Sequence, residues 1–288
     1  MTRSRSWLFV PGDDPRKIGK ALAGPADRVI LDLEDAVAPT KRAGARALVA
    51  DTIAALATEN RERVCVRINP WQEDAANDDL QALKATLPAS IMLPKVRSID
   101  DLRAVDSILS QLESDTGQPT TKVIALVTET VSMTATMPAM PSPPKRVAAL
   151  TWGGEDLSAA LGASANKFAD GRWLPTFEFA RVQCLLAAKR FGLHAIDTLY
   201  TDFRDGEGMQ QHANAALRDG FDGVLAIHPA QIDPIHSAFT PDAASVAHAR
   251  RIVAAFAANP DSGALQLDGR MIDRPHLIQA QKILNRLE

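Results

Sequence analysis

Short apolar runs recur along the chain at 7–10, 28–33, 64–68, 90–94, 123–127, 147–152, 194–200 and 223–227. They are nearly continuous in Val, Ile and Leu rather than alternating with polar residues. That pattern belongs to strands buried on both faces, as in a parallel sheet. Between them lie stretches with helical spacing, at 40–58, 99–112, 177–191 and 207–217. In the second of these, apolar side chains fall at 99, 102, 105, 108, 109 and 112, one face of a 3.6-residue period. Eight strands, each followed by a helix or helical turn over about 235 residues, predict a TIM (β/α)8 barrel. A doubly wound sheet is the alternative, but no glycine-rich GxGxxG or Walker loop follows any run.

The pattern changes near residue 241. An Ala-rich helix over 242–258, with Asp242 as N-cap, gives way to NPDSG. A short strand and turn around Asp268-Gly269 and a last helix starting near Pro275 complete the chain. The expected division is therefore a barrel over 1–240 and a C-terminal helix-turn-helix lid over 241–288. The lid packs over a barrel mouth or reaches a neighbouring subunit.

Composition narrows the function. Lys and Arg number 32 against 35 Asp and Glu, in 288 residues that are 46% hydrophobic. The net charge of −3 comes without blocks of one sign, so nucleic-acid binding has no electrostatic footprint. Cys65 and Cys184 sit in apolar runs and read as buried small hydrophobes. The basic start, MTRSRSWLFVPGDD, has an apolar run too short for a signal peptide. No stretch approaches the roughly 20 apolar residues of a membrane span. A cytoplasmic protein with no membrane partner is expected.

In a TIM barrel the chemistry sits where the strands end. The first run ends in VPGDD, placing Pro11 and Gly12, and the second in DLED, placing Asp32, Glu34 and Asp35. The third to fifth deliver Arg67, Lys95 and Glu129. The last three deliver Glu155 and Asp156, then Asp202, then His228. Five of these carboxylates, Asp32, Glu34, Asp35, Glu129 and Asp156, would crowd one mouth against Arg67 and Lys95. An excess of oxygen donors with few His or Cys neighbours suits Mg²⁺ rather than zinc. Strand alternation puts Asp32 and Glu34 on one side and Asp35 on the other, with all three helping to hold the cation directly or through water.

Plainer readings compete. Asp35 could cap the next helix or pair with Lys41, Arg42 or Arg46, and Arg67 could simply bridge strand-end carboxylates. Glu129 could answer a helix dipole, Asp156 could cap LSAALG, and Asp273 could cap the last helix, with Asp268 its rival. Lys95 could form a Schiff base, and His228 could be a packing residue.

The motifs RSWLFVPGDDPRKI, DRVILDLEDAVAPTKRAGAR, CVRINP, IMLPKV, TET, GGEDLSAALG, YTDFRD, AIHPAQI, FTP and DGRMIDRPH also resemble a known family. Together, in order and over essentially the whole chain, they are similar to the citrate lyase beta-subunit-like (CitE-like) branch of the HpcH/HpaI aldolase family. That branch includes malyl-CoA and citramalyl-CoA lyases. The resemblance implies a (β/α)8 barrel, trimeric or a dimer of trimers, that uses Mg²⁺ at a carbon–carbon bond beside a CoA or acyl-carrier thioester. It implies Glu129 and Asp156 as Mg²⁺ carboxylates and Arg67 as the substrate-binding arginine. Asp273 becomes the acid/base on a segment covering a neighbour's site. It places FVPG, LPK and IHP, hence Pro11, Gly12, Lys95 and His228, along the CoA. The segment 163–180 and the WGGED motif depart from the family's common forms, which leaves the substrate open.

The implied reaction cleaves a 3-hydroxyacyl-CoA such as malyl-CoA, citramalyl-CoA or citryl-CoA into a 2-oxo acid and an acyl-CoA, or condenses the two. Glu129 and Asp156 hold the metal, Arg67 stabilises the oxyanion and Asp273 moves the proton at carbon. The rivals are a CoA-thioester hydrolase and a citrate lyase beta subunit served by an acyl-carrier protein. An aldolase of free oxo acids and a non-catalytic scaffold also remain.

Overall fold

Apolar side chains on both sides of a strand demand cover on both faces, which a closed barrel wrapped in helices provides. The computed structural model describes residues 4–287 and has this arrangement. The strands are β1 (Ser6–Pro11), β2 (Arg28–Asp32), β3 (Val64–Arg67), β4 (Ser90–Leu93), β5 (Lys122–Leu126), β6 (Val147–Thr151), β7 (His194–Asp197) and β8 (Gly223–Ala226). They form a closed parallel barrel in sequence order, and β1 also pairs with β8 to seal it. The first three residues of the basic N-terminal stretch lie outside the described residues.

The inward-facing residues Trp7, Ile30, Cys65, Met92, Ile124 and Ile196 fill the barrel axis. Both cysteines are buried free thiols, as their apolar surroundings suggest, and burial pushes Cys65 up to about 12. Helices Pro15–Ala23, Arg42–Ala55, Asp74–Ala82, Ile99–Thr116, Val131–Thr136, Pro175–Arg190 and Gly206–Asp219 cover the outside. The long helix after β4 is bounded as its sequence dictates. Ser98 and Asp101 form a capping box, and Gly117 ends the helix at φ 67°.

Several runs are shorter as strands than their apolar length suggests. The 28–33 run stops at Asp32, whose carboxylate accepts the backbone N–H of Glu34 at 3.0 Å and of Ala36 at 3.3 Å. The 194–200 run stops at Asp197, which takes the N–H of Thr198 at 2.9 Å. In both, a carboxylate competes for backbone donors and turns the chain. The 40–58 helix breaks into a 3₁₀ turn, Pro39–Lys41, then Arg42–Ala55 and a single turn, Thr58–Arg61.

The chain divides into two compact units, Met1–Ile235 and His236–Glu288. In the second, helix Ala243–Ala258 is capped by Asp242, which accepts from Ser245 N at 2.6 Å. A hairpin follows, β9 (Ala264–Leu267) and β10 (Arg270–Asp273), and then helix Arg274–Asn285. The two central residues of the hairpin turn, Asp268 and Gly269, have φ 51° and 77°, the left-handed pair that a two-residue turn of this hand requires. Ala249, Ile252, Phe256, Ile272 and Ala280 form this unit's own core.

Candidate active site at the barrel mouth

Parallel strands in register bring their C-terminal residues to one level. Pro11 pairs with Asp32, and Asp32 with Arg67. The Arg67 guanidinium is held in two-point fashion by Asp32, Nε to Oδ1 at 2.7 Å and Nη2 to Oδ2 at 2.6 Å. Nη1 lies 2.8 Å from Glu34 Oε2 and 3.9 Å from Asp35, and the cation rests 4.8 Å from the Phe9 ring centroid. The Glu34 contact is a charge contact only: its angles make no hydrogen bond, and Oε2 is buried without one. Burial works against the charge of Arg67, but the hydrogen bonds and charge of Asp32, then of Glu34, outweigh it and raise its pKa further. The arginine stays cationic and fixed.

Asp35 joins the same group, which corrects the alternation argument. With β2 ended at Asp32, the turn swings Asp35 to within 3.3 Å of Lys95 Nζ. Its suggested surface partners are engaged elsewhere: Lys41 with Asp13, Arg42 with Glu73 and Arg46 with Asp79. Lys95 has φ 51°, an uncommon backbone state for a lysine that marks a tightly determined site. There its N–H donates to Glu129 Oε2 at 2.6 Å. Its ammonium binds Glu34 and lies 3.6 Å from Asp156. Those carboxylates outweigh the cost of burial and hold Lys95 above its ordinary pKa, against a Schiff-base role.

Glu129 is only 4% exposed. Burial, then repulsion from Asp156 and Glu34, pushes its carboxyl up to about 8. Glu34 is pushed up to about 7, chiefly by burial, with Arg67 and Lys95 pulling the other way. A Cβ on Gly153 would lie 2.9 Å from Glu129 Cγ, so glycine there leaves room for the carboxylate. Thr130, not Glu129, caps the helix after β5. Gly153 occupies the cap position after β6, which leaves Asp156 in the first turn facing the mouth.

A cavity of about 210 Å³ descends along the barrel axis among Phe9, Arg67, Leu126, Trp152, Thr198 and Leu225, with Glu129 and Asp156 on its wall. A second, of about 500 Å³, opens from the same two carboxylates toward Pro70, Gln72, Arg97, Val131 and Ala160, with Lys95 between.

The remaining predicted residues have the following local partners. Gly12 donates its N–H to the Asp32 carbonyl at 2.8 Å, and a Cβ there would sit 2.6 Å from that oxygen. The PG of the first loop is thus a close backbone crossing. His228 caps the turn Pro229–Gln231 and stacks on Phe203 at 4.8 Å. Glu155 accepts from Asn166, and Asp202 from Arg204 N. Asp273 is the N-cap residue of the last helix and lies 2.5 Å from His276 Nδ1, while Asp268 pairs with Arg251.

Sequence reasoning missed a buried network beside the mouth. Asp197, fully buried at the end of β7, accepts from Trp152 Nε1 at 2.6 Å and from Arg181 Nη2 at 2.8 Å. Arg181 also binds Asp219 at 2.7 Å. The available signal was a charge inside an apolar strand paired with an arginine inside an Ala-rich helix.

Residues 5–229 match the family HpcH/HpaI aldolase/citrate lyase. The chain belongs to that family. It is 36% identical to a citrate lyase subunit beta-like protein of Mycobacterium tuberculosis, over 97% of this chain and 94% of that one. It is 35% identical to the mitochondrial citramalyl-CoA lyase of Mus musculus, over 97% of this chain and 85% of the relative. A (3S)-malyl-CoA thioesterase of Cereibacter sphaeroides is 31% identical, over 99% and 94%. Among solved structures, the protein CitE of M. tuberculosis in complex with magnesium, acetoacetate and coenzyme A matches with a TM-score of 0.83. Identity there is 36%, over 99% of this chain and 98% of that one. Among the described residues, no helix is long and apolar enough to cross a membrane.

Proposed function

We propose that the protein is a Mg²⁺-dependent carbon–carbon lyase. Its substrate in this reading is a 3-hydroxyacyl-CoA such as malyl-CoA, citramalyl-CoA or citryl-CoA, cleaved to a 2-oxo acid and an acyl-CoA or formed by their condensation. The observation that carries the proposal is a buried carboxyl, Glu129, held beside Asp156 at a barrel mouth whose fixed arginine faces the same cavity. Similarity to CitE, solved with magnesium, acetoacetate and coenzyme A, supports it.

The residues fit the metal. Glu129 is burdened by burial and negative neighbours, a state that a nearby cation relieves. The donors are all oxygen. Among the described residues no group of three or more His, Cys, Asp or Glu side chains is placed to hold a metal ion, so the protein would supply two ligands. Two protein carboxylates, with water and substrate completing the shell, is the usual Mg²⁺ arrangement. Glu129 and Asp156 would hold the ion, and Asp32, Glu34 and Asp35 would stand behind them. When bound, Mg²⁺ would supply Lewis acidity to the oxygens of the oxo acid.

The chain's own groups do the rest. A guanidinium has five N–H donors, and Asp32 takes two of Arg67's. The fork is thereby aimed and can stabilise the oxyanion that develops as the bond breaks. Apolar walls from Phe9, Leu126, Trp152 and Leu225 exclude water. The larger cavity suits the CoA arm, with Lys95 at its edge, and Pro11, Gly12 and His228 flank the thioester in this reading. Asp273 would protonate the enolate carbon on cleavage and remove that proton on condensation. It would do so from the 241–288 lid over a neighbouring copy, in a cytoplasmic homotrimer or hexamer.

The test uses purified protein with malyl-CoA or citramalyl-CoA, with Mg²⁺ or EDTA, and phenylhydrazine to trap the oxo acid. Mg²⁺-dependent oxo-acid release, abolished in Glu129→Ala, is expected. Free CoA without oxo acid would instead identify a thioesterase, the activity named for the C. sphaeroides relative. Turnover only on an acyl-carrier thioester would identify a citrate lyase beta subunit.

A further inference from the structure

Between the helices Gly154–Leu161 and Pro175–Arg190 the chain folds as a small hairpin packed against residues that line the axial cavity. Lys167 and Trp173 pair across it, Phe168 N donates to Arg172 O at 2.8 Å, and Leu174 N donates to Asn166 O at 2.9 Å. Gly171, at φ 84°, makes the turn. Asn166 ties the hairpin to the mouth through Glu155 Oε1 at 2.9 Å. Trp173 lies edge-on to Trp152 at 4.9 Å, and its ring fills the space above Gly154, 2.9 Å from where a Cβ would be. Trp152, Gly154 and Glu155 all line the axial cavity.

Lys167 is the unexplained member. Its ammonium is 4.2 Å from the Trp173 ring centroid and 5.7 Å from that of Tyr200, the residue after the cavity-lining Leu199. The side chain is half-buried, and among the described residues it forms no ion pair. Burial pulls its pKa down, partly opposed by the charges of Glu155 and Asp197. The surrounding carboxylates are engaged: Glu155 with Asn166, Asp197 with Trp152 and Arg181, Asp205 with Tyr200, and Asp202 with Arg204 N. Aromatic faces position a cation but do not neutralise it. A half-buried ammonium without a counter-ion, held between two rings that adjoin the cavity-lining Gly154 and Leu199, is matched to an anion that arrives with the ligand.

We propose that Lys167 is a specificity-determining residue that receives a second carboxylate of the substrate, at the end of the oxo-acid portion remote from Glu129 and Asp156. The inference rests on the lyase reading for what occupies the axial cavity. About 210 Å³ suits a small oxo acid, whereas the 500 Å³ cavity on the other side of Glu129 and Asp156 suits the long CoA arm. The substrate class is accordingly one whose 2-oxo acid product is a dicarboxylate.

The test compares equilibrium binding of pyruvate, freshly dissolved oxaloacetate and CoA to the Mg²⁺-loaded full-length protein by titration calorimetry. Wild type is expected to favour oxaloacetate by about tenfold, the order of one charge-assisted hydrogen bond. Lys167→Met is expected to remove that preference while leaving pyruvate affinity within about twofold, and Lys167→Arg to keep most of it. An unchanged ratio in Lys167→Met overturns the inference. So does equal loss for both oxo acids, which marks a hairpin prop, or weakened binding of CoA alone, which assigns the cation to a CoA phosphate. Binding of neither oxo acid to wild type also overturns it. Because no turnover is needed, the two readings fail separately. A Lys167-dependent preference in a protein that releases no oxo acid would sink only the lyase. Oxo-acid release with an unchanged ratio would sink only the role of Lys167.

Discussion

Single residues divide into those whose roles their neighbours explain and those that only chemistry explains. Asp32, the first carboxylate of the DLED stretch, acts on Arg67 and on two backbone N–H groups. Its charge is therefore used to orient a cation. Arg67→Lys would keep the charge but lose the two-point grip of Asp32. A fall in kcat of about 10²–10³, with Mg²⁺ affinity within about twofold, is the expected outcome in steady-state kinetics and metal titration. Equal losses in both would show that Arg67 merely organises the carboxylates. The identity of these residues was legible because each sits where an apolar run ends. Their partners were not. The side on which Asp35 falls depended on where β2 stops, and that was decided by hydrogen bonds from the Asp32 side chain.

Whole elements show the same split. The apolar runs read correctly as strands because burial on both faces leaves no polar position to confuse the period. The helix 99–116 was readable from its spacing and its caps. Strand ends were less readable, since Asp32 and Asp197 stop their strands through side-chain bonds that the apolar pattern does not encode. The Trp152–Asp197–Arg181 network ties the end of β6 to β7 and to the helix Pro175–Arg190 between them. Asp197→Asn would leave the buried Arg181 facing a neutral group. A loss of about 3–5 kcal/mol in folding stability is expected, read from the urea midpoint. A loss below about 1 kcal/mol would mean that Asp219 alone satisfies the arginine.

At the scale of the whole molecule, the proposed reaction needs a carboxylate from the C-terminal unit over the barrel of another copy. That makes a prediction about mixtures. Asp273→Asn and Glu129→Gln should each be inactive alone. Unfolded together in equal amounts and refolded, they should recover about a quarter of wild-type activity, because a site drawing one residue from each of two subunits is intact in one random pairing of four. No recovery in refolded mixtures of proven wild-type-like assembly would place both residues in one chain's site, and full activity of Asp273→Asn alone would remove Asp273 from the chemistry. The sequence by itself determined the barrel, the helix, turn and helix at the C-terminal end, and which charged residues stand at the strand ends. It could do so because periodicity, caps and strand-end chemistry are local properties of the chain. Only the tertiary structure decided that Arg67 is clamped by Asp32, that Lys95 bridges Glu34, Asp35 and Asp156, that burial raises the pKa of Glu129 and that Lys167 rests against Trp173 with no ion pair among the described residues. Each of these depends on distances between residues brought together by barrel closure, and on how far burial strips water from a charge.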